Sequence, residues 1–282
     1  MTLALSFCSN VFADNWTNSN DIKSTFINYQ GNTTRKNLTD LSINIQTHYL
    51  DKFDLLFAYN HTKLNAGQGN SSRQNQLTVG ANWFQYFDKI EGRIGWQLKN
   101  YSLTTPSNTI ADITSGGISY LDYQKSFYLD TLFTQSQYIN KVINDYTVNQ
   151  ANLSFEFSPR LKSSWLSFQL IAIDNADNLL FDSTLYSANF EWTQFLYRTG
   201  FPLPMRFIIG LQIGEQRYLV LQRLNSVNNS PDAQTASYWV NATWHISDNS
   251  QLGLSIATSE HQTDLQEKYN STYSSILLNI KW

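Results

Sequence analysis

The chain is 282 residues long with a formal net charge of −3, and it is rich in aromatic side chains (15%) yet poor in charged ones (15%). So much aromatic surface excludes a disordered chain, and the missing basic footprint excludes a nucleic-acid binder. The one cysteine, Cys8, lies so near the start that disulfides, cysteine-ligated metal and thiol catalysis are not expected of the mature chain.

The first thirteen residues, MTLALSFCSNVFA, read as a secretory signal. A short apolar stretch ends in Val11-Phe12-Ala13, cleavage is expected before Asp14, and a basic n-region is missing. Cys8 falls inside that leader. Residues 14–282 are expected to form a single domain. They contain no apolar run approaching 18 residues, so no membrane-spanning helix is expected.

Beyond the leader the chain is a succession of runs with period two, the signature of strands with one apolar face. After a weak candidate at 22–30, residues 41–49 place Leu41, Ile43 and Ile45 on one face, and 52–60 place Phe53, Leu55, Phe57 and Tyr59. Residues 77–83 and 90–99 continue with Leu77, Val79, Ala81 and Trp83, then Ile90, Ile94, Trp96 and Leu98. A second weak candidate covers 111–123. Further runs carry Leu129 and Phe133, Leu153 and Phe155, Phe168 and Leu170, Phe190 and Trp192, Ile209 and Leu211, Val240 and Trp244, and Leu254 and Ile256. The last run ends Ile276, Leu278, Ile280, Trp282. The tally is about fourteen strands, within two.

Polar punctuation between the runs alternates in length. Tight turns are expected near 50–52, 87–88, 124–125, 159–161, 197–203 and 247–249. Longer polar segments are expected near 31–37, 63–73, 103–110, 139–145, 174–182, 221–233 and 260–269, none much beyond a dozen residues. Short turns at one end and longer loops at the other, with outward apolar faces, predict a transmembrane antiparallel up-and-down β-barrel with periplasmic termini.

On these dyad runs, the leader and the terminal strand, the chain resembles the bacterial outer-membrane β-barrel superfamily, and in size the small monomeric fourteen-stranded porins. It is less similar to the fatty-acid transporter barrels, which carry an N-terminal plug. The resemblance implies outer-membrane localisation, contact with outer-membrane lipid and lipopolysaccharide, and handling by the barrel assembly machinery. It also implies that Ile276, Leu278, Ile280 and Trp282 form the C-terminal assembly signal, with Trp282 where the superfamily usually has Phe. The implied activity is passive diffusion of small polar solutes, without cofactor or metal, and the even balance of acidic and basic inward residues predicts weak ion selectivity.

With apolar faces outward, the charged residues expected inside are Lys52, Asp54, Glu91, Arg93, Lys99, Asp130, Glu156, Glu191, Arg206 and Lys281. Most lie near a periplasmic turn. Together with His245 they predict a charged belt around the periplasmic third, which either filters solutes or braces the wall by cross-strand ion pairs. Above it the lumen is expected to be neutral and lined by Ser, Thr, Asn and Gln. The inward aromatics Trp239 and Tyr101 either stack on sugar rings or fill space.

Two other functions are consistent with these features. The barrel could be a scaffold or sleeve for a lipoprotein, a periplasmic partner or an exported polymer. His245-Ile246-Ser247 puts a base and a nucleophile on one face, as an outer-membrane lipid hydrolase would need, but at the wrong end. His48, His61 and His261 fall on separate connections without metal-ligand spacing, and Asp174, Asp177 and Asp182 read as a solvated acidic loop.

Overall fold

The computed structural model describes residues 16–32, 35–50, 52–66, 71–87, 89–103, 109–122, 127–140, 145–160, 163–175, 184–196, 203–217, 220–221, 226–227, 232–263 and 267–282. The leader 1–13 lies outside them. The strands are β1 (Trp16–Gln30), β2 (Arg35–Tyr49), β3 (Phe53–Ala66), β4 (Ser71–Phe87), β5 (Ile90–Leu103), β6 (Thr109–Asp122), β7 (Phe127–Asn140) and β8 (Tyr146–Arg160). They continue with β9 (Ser164–Asn175), β10 (Leu185–Phe195), β11 (Arg206–Gln216), the two-residue pieces β12 (Val220–Leu221) and β13 (Ser226–Val227), β14 (Ala233–Ser247), β15 (Ser250–Gln262) and β16 (Lys268–Lys281).

Fourteen of these close into one antiparallel barrel in which every strand pairs with its sequence neighbours, while β12 and β13 form a separate small hairpin. The seam joins β1 to β16 from Ser19↔Lys281 to Gln30↔Asn270. Closure leaves the barrel, among the described residues, without an unpaired edge, which hydrocarbon could not satisfy.

The outer face explains the dyad pattern. Leu55, Phe57, Leu153, Leu170, Ile209, Leu211, Leu254 and Ile256 are each 40–64% exposed. In water such a band would forgo about 1.5–3 kcal/mol of burial per side chain. Against hydrocarbon it forgoes nothing, so this is a membrane-spanning barrel of the outer-membrane type.

The strands outrun the expected loops. Most have 13 to 17 residues, more than the 9–11 that a tilted crossing needs. Polar ends read as loops at 31–37 and 63–73 therefore continue the ladder, and the connections shrink to 31–34 and 67–70. His48, His61 and His261 likewise sit in strands rather than connections. In the other direction, the connection 217–232 exceeds the expected dozen residues and contains the β12–β13 hairpin. A β-bulge at Ile213/Gln216, where Gly214 takes φ +91°, ends the regular part of β11.

Candidate functional site

The lumen is built from the alternate residues left by the lipid-facing band, and it has two unlike sectors. Near the longer-loop end of β6–β10, Ala111, Ile113, Tyr138, Tyr146, Val148, Ile171, Ile173 and Leu185 make one apolar cluster with exposures of 0–8%. Tyr138 and Tyr146 stack across β7 and β8, ring centroids 4.7 Å apart and planes 16° apart. An inward side chain bordering a water-filled pore keeps solvent contact. These have lost it, so this sector is packed interior, and here the mostly neutral upper lumen is lined by apolar side chains rather than by the expected Ser, Thr, Asn and Gln. On β9 apolar residues occupy both faces, Phe168 and Leu170 outside and Ile171 and Ile173 inside, which alternation alone does not separate.

Across the barrel, β14–β16 and β1 present hydroxyls, amides and a few aromatics. One cross-strand row runs Glu156–Ser167–Glu191–Gly210–Trp239–Ala257–Tyr273. The Trp239 indole lies across Gly210, where any Cβ would overlap it, and its Nε1 donates to Glu191 Oε2 at 3.2 Å. Gly210 thus lets a side chain from β14 reach a carboxylate on β10. Lys23 Nζ sits 5.3 Å from the Tyr273 ring centre. An amide ladder continues towards the longer-loop end: Asn189 Nδ2 donates to Gln169 Oε1 (3.0 Å), Gln216 Nε2 to Ser187 Oγ (2.8 Å) and Gln234 Nε2 to Gln212 Oε1 (2.9 Å).

Several of the charged residues read from sequence sit in separate small networks. Asp54, 8% exposed, meets His48 Nδ1 at 2.6 Å and accepts from Gln46 Nε2 at 3.3 Å. Asp130 accepts from Ser119 Oγ at 2.8 Å. Glu156 accepts from Ser167 Oγ at 3.5 Å, and Arg206 Nη2 donates to Thr243 Oγ1 at 3.4 Å. Glu91 is half-buried, while Lys52, His245 and Lys281 are exposed at the short-turn end. Arg93, Lys99 and Tyr101 lie on β5, with side chains outside those described.

Sequence reasoning missed inward charges on β1 and β2. Asp21 accepts from Asn279 Nδ2 at 2.6 Å, Asp40 accepts from Thr62 Oγ1 at 2.6 Å, and Lys23 faces Tyr273. The available signal was Ile22 and Phe26 alternating in β1, which by elimination turns Asp21 and Lys23 inward. Ion pairs were missed as well, Lys268 Nζ to Glu260 Oε1 at 3.2 Å among them. Lys89 meets Asp122 at 3.0 Å. Arg35 of β2 meets Asp232, just before β14, at 2.8 Å, although β1, β16 and β15 lie between them. That contact spans a chord of the longer-loop mouth. Tyr269 braces it, its hydroxyl donating to Asp232 at 2.7 Å and accepting from Arg35 at 3.3 Å, and His261 stacks on Tyr269 at 4.9 Å.

At the C-terminus, Ile276, Ile280 and Trp282 are exposed outward at 55%, 36% and 47%, and Leu278 on the same face is half-buried. The Trp282 backbone exchanges two 3.1 Å hydrogen bonds with Asn18. Among the described residues no hydrogen bond joins His245 to Ser247. Asp174 accepts from Thr184 Oγ1 at 3.2 Å, and Asp177 and Asp182 lie outside the described residues.

No protein-family model and no curated protein matches the chain. Solved structures match it in shape. The Pseudomonas putida toluene transporter TodX aligns over 96% of this chain and 90% of its own, with TM-score 0.54 and 10% identity. The CymD monoaromatic hydrocarbon channel aligns over 95% and 88%, with TM-score 0.57 and 8% identity. At such identities the likeness establishes the barrel fold.

Proposed function

We propose that this barrel is a passive diffusion channel for small polar solutes with weak ion selectivity. The observation that carries the reading is the polar inner wall of β14–β16 and β1, where Asn241, Ser255 and Ser259 keep solvent contact beside the buried Thr25, Ser237, Ser271 and Ser275, facing a lumen enclosed by a closed fourteen-strand barrel. Water solvates such a wall, and hydroxyls and amides replace the hydration of a passing solute without binding it tightly. The packed β6–β10 sector makes the passage eccentric. Acids and bases alternate along the inner wall, Asp21 beside Lys23 and Glu191 one strand from Arg206, so their fields largely cancel along the pore. TodX and CymD are named for toluene and monoaromatic hydrocarbons. A route lined by Ser, Asn and Gln favours polar cargo instead.

Planar-bilayer recordings of the purified barrel test this. Stable ohmic pores are expected, and a barrel that never conducts overturns the reading. Arg206→Ala tests the charged belt as a filter: a shift in reversal potential in a salt gradient is expected, while unchanged selectivity and conductance reduce the belt to bracing.

The second reading, a scaffold or sleeve for a lipoprotein or periplasmic partner, is favoured by the filled β6–β10 sector. A non-conducting barrel that purifies with a stoichiometric partner would establish it. In either case we place the barrel against outer-membrane lipid and lipopolysaccharide, delivered by the assembly machinery through the Ile276, Leu278, Ile280, Trp282 face.

A further inference from the structure

We infer that the outward face of β2–β4 at the longer-loop end is a docking surface for the phosphorylated sugar headgroup of outer-leaflet lipopolysaccharide, with Lys63 and Arg73 taking the phosphate. This surface belongs to the lipid contact proposed above, on which it rests, and it does not depend on whether the barrel conducts.

Outward residues on these strands change character at one level. Leu41, Ile43, Phe57, Tyr59, Leu77 and Val79 form an apolar belt, each 38–46% exposed. Towards the longer loops the next cross-strand row reads Leu41–His61–Asn75, and the row after it Thr39–Lys63–Arg73. From Tyr59 to Lys63, and from Leu77 to Arg73, is about 13 Å along the strand, or about 10 Å of height in a wall tilted by about 40°. The hydrocarbon ends and the headgroup layer begins over that rise, and the long side chains of lysine and arginine extend into it.

Charge selects the headgroup. Lys63 and Arg73 stand directly opposite each other in the β3–β4 ladder. Like charges so placed repel, and a phosphate seated between them replaces the repulsion with charge-assisted hydrogen bonds from both. Asp40 and Asp54, the acids among the described residues of β2–β4, face the lumen and are held there by Thr62 and His48, so they add no negative charge outside. Other sectors of the longer-loop rim differ. Asp112 of β6 and Asp174 of β9 alternate with the inward Ala111, Ile113 and Ile173 and so face outward, where they repel phosphate. On β15 and β16, Lys268 is matched by Glu260 at 3.2 Å.

Amides frame the two cations. On the loop side Asn65 Nδ2 donates to Asn37 Oδ1 at 2.6 Å. On the belt side Asn75 Oδ1 accepts from the Tyr59 hydroxyl at 3.1 Å and lies 2.7 Å from His61 Nδ1. These contacts tie the three strands together and set amide groups beside the phosphate position, where sugar hydroxyls need partners. Both cations rise from a rigid ladder, so their spacing is fixed before a headgroup arrives.

Native mass spectrometry of the full barrel in detergent micelles, titrated with diphosphoryl lipid A, reads the surface. Lipid A stripped of its phosphates and phosphatidylglycerol are the comparison probes. Diphosphoryl lipid A is expected to bind in preference to both. Lys63→Gln and Arg73→Gln together should weaken that binding roughly tenfold or more, while Asp174→Asn on the far flank should leave it unchanged. Equal binding of lipid A with and without phosphates overturns the inference, as does equal binding of diphosphoryl lipid A by wild type and the double variant. Phosphatidylglycerol bound as tightly as diphosphoryl lipid A overturns it too, since any anionic lipid would then serve. Should the double variant fail to fold, Arg73→Gln alone decides by the same criterion. A barrel that binds neither form of lipid A overturns the lipopolysaccharide contact as a whole, whereas one that binds both forms equally overturns the phosphate surface alone.

Discussion

The inner walls of β6–β10 and of β14–β16 sit in the same barrel and face the same lumen, yet they are made differently. The first places Ile113, Tyr138, Val148, Ile171 and Ile173 inward with exposures of 0–2%. The second places Trp239, Asn241, Ser255, Ala257 and Ser259 inward and half-buried, beside Ser237, Ser271 and Ser275 at 5–6%, so it differs from the first above all in being polar. Lipid demands an apolar outer face on every strand, but it makes no demand on the inner one. The inner face follows what fills the barrel: side chains pack where the lumen is occupied and stay hydrophilic where water runs.

Three substitutions probe that contrast. The largest effect is expected from Tyr138→Ala, which empties a stacked, fully covered site and should cost about 3–5 kcal/mol in reversible unfolding from micelles. A cost near zero would make the β6–β10 sector pore surface after all. Next comes Arg35→Ala, which leaves the half-screened Asp232 with the Tyr269 hydroxyl and should cost about 1–3 kcal/mol. Because this pair crosses the mouth, single-channel conductance should also rise. An unchanged current would place the solute path elsewhere. The smallest effect is expected from Ser255→Ala on the open wall, within about 0.5 kcal/mol by the same unfolding measurement.

Much of the fold was legible because lipid imposes a rule on every strand. Leu55, Phe57, Leu254 and Ile256 had to alternate with polar partners, so strand number and facing could be read residue by residue. The strand ends were not legible. Asn65, Ser71 and Ser72 pair in the β3–β4 ladder as readily as such residues form loops once outside hydrocarbon, because backbone hydrogen bonds do not depend on those side chains. The site was legible in part. Asp54, Glu191 and Arg206 follow from register, but the seating of Trp239 on Gly210 needs the β11–β14 alignment, and the Arg35–Asp232 pair joins segments far apart in sequence.

Sequence by itself determined an all-β, membrane-spanning barrel of about fourteen strands, because the requirement for one apolar face per strand is local and repeats along the chain. Tertiary structure alone decided which part of the lumen is closed, which residues meet across its mouth, and that the Trp239 indole crosses Gly210 to reach Glu191. Those features depend on cross-strand register and on distances across the lumen, and a one-residue shift in pairing would give each inward side chain a different neighbour.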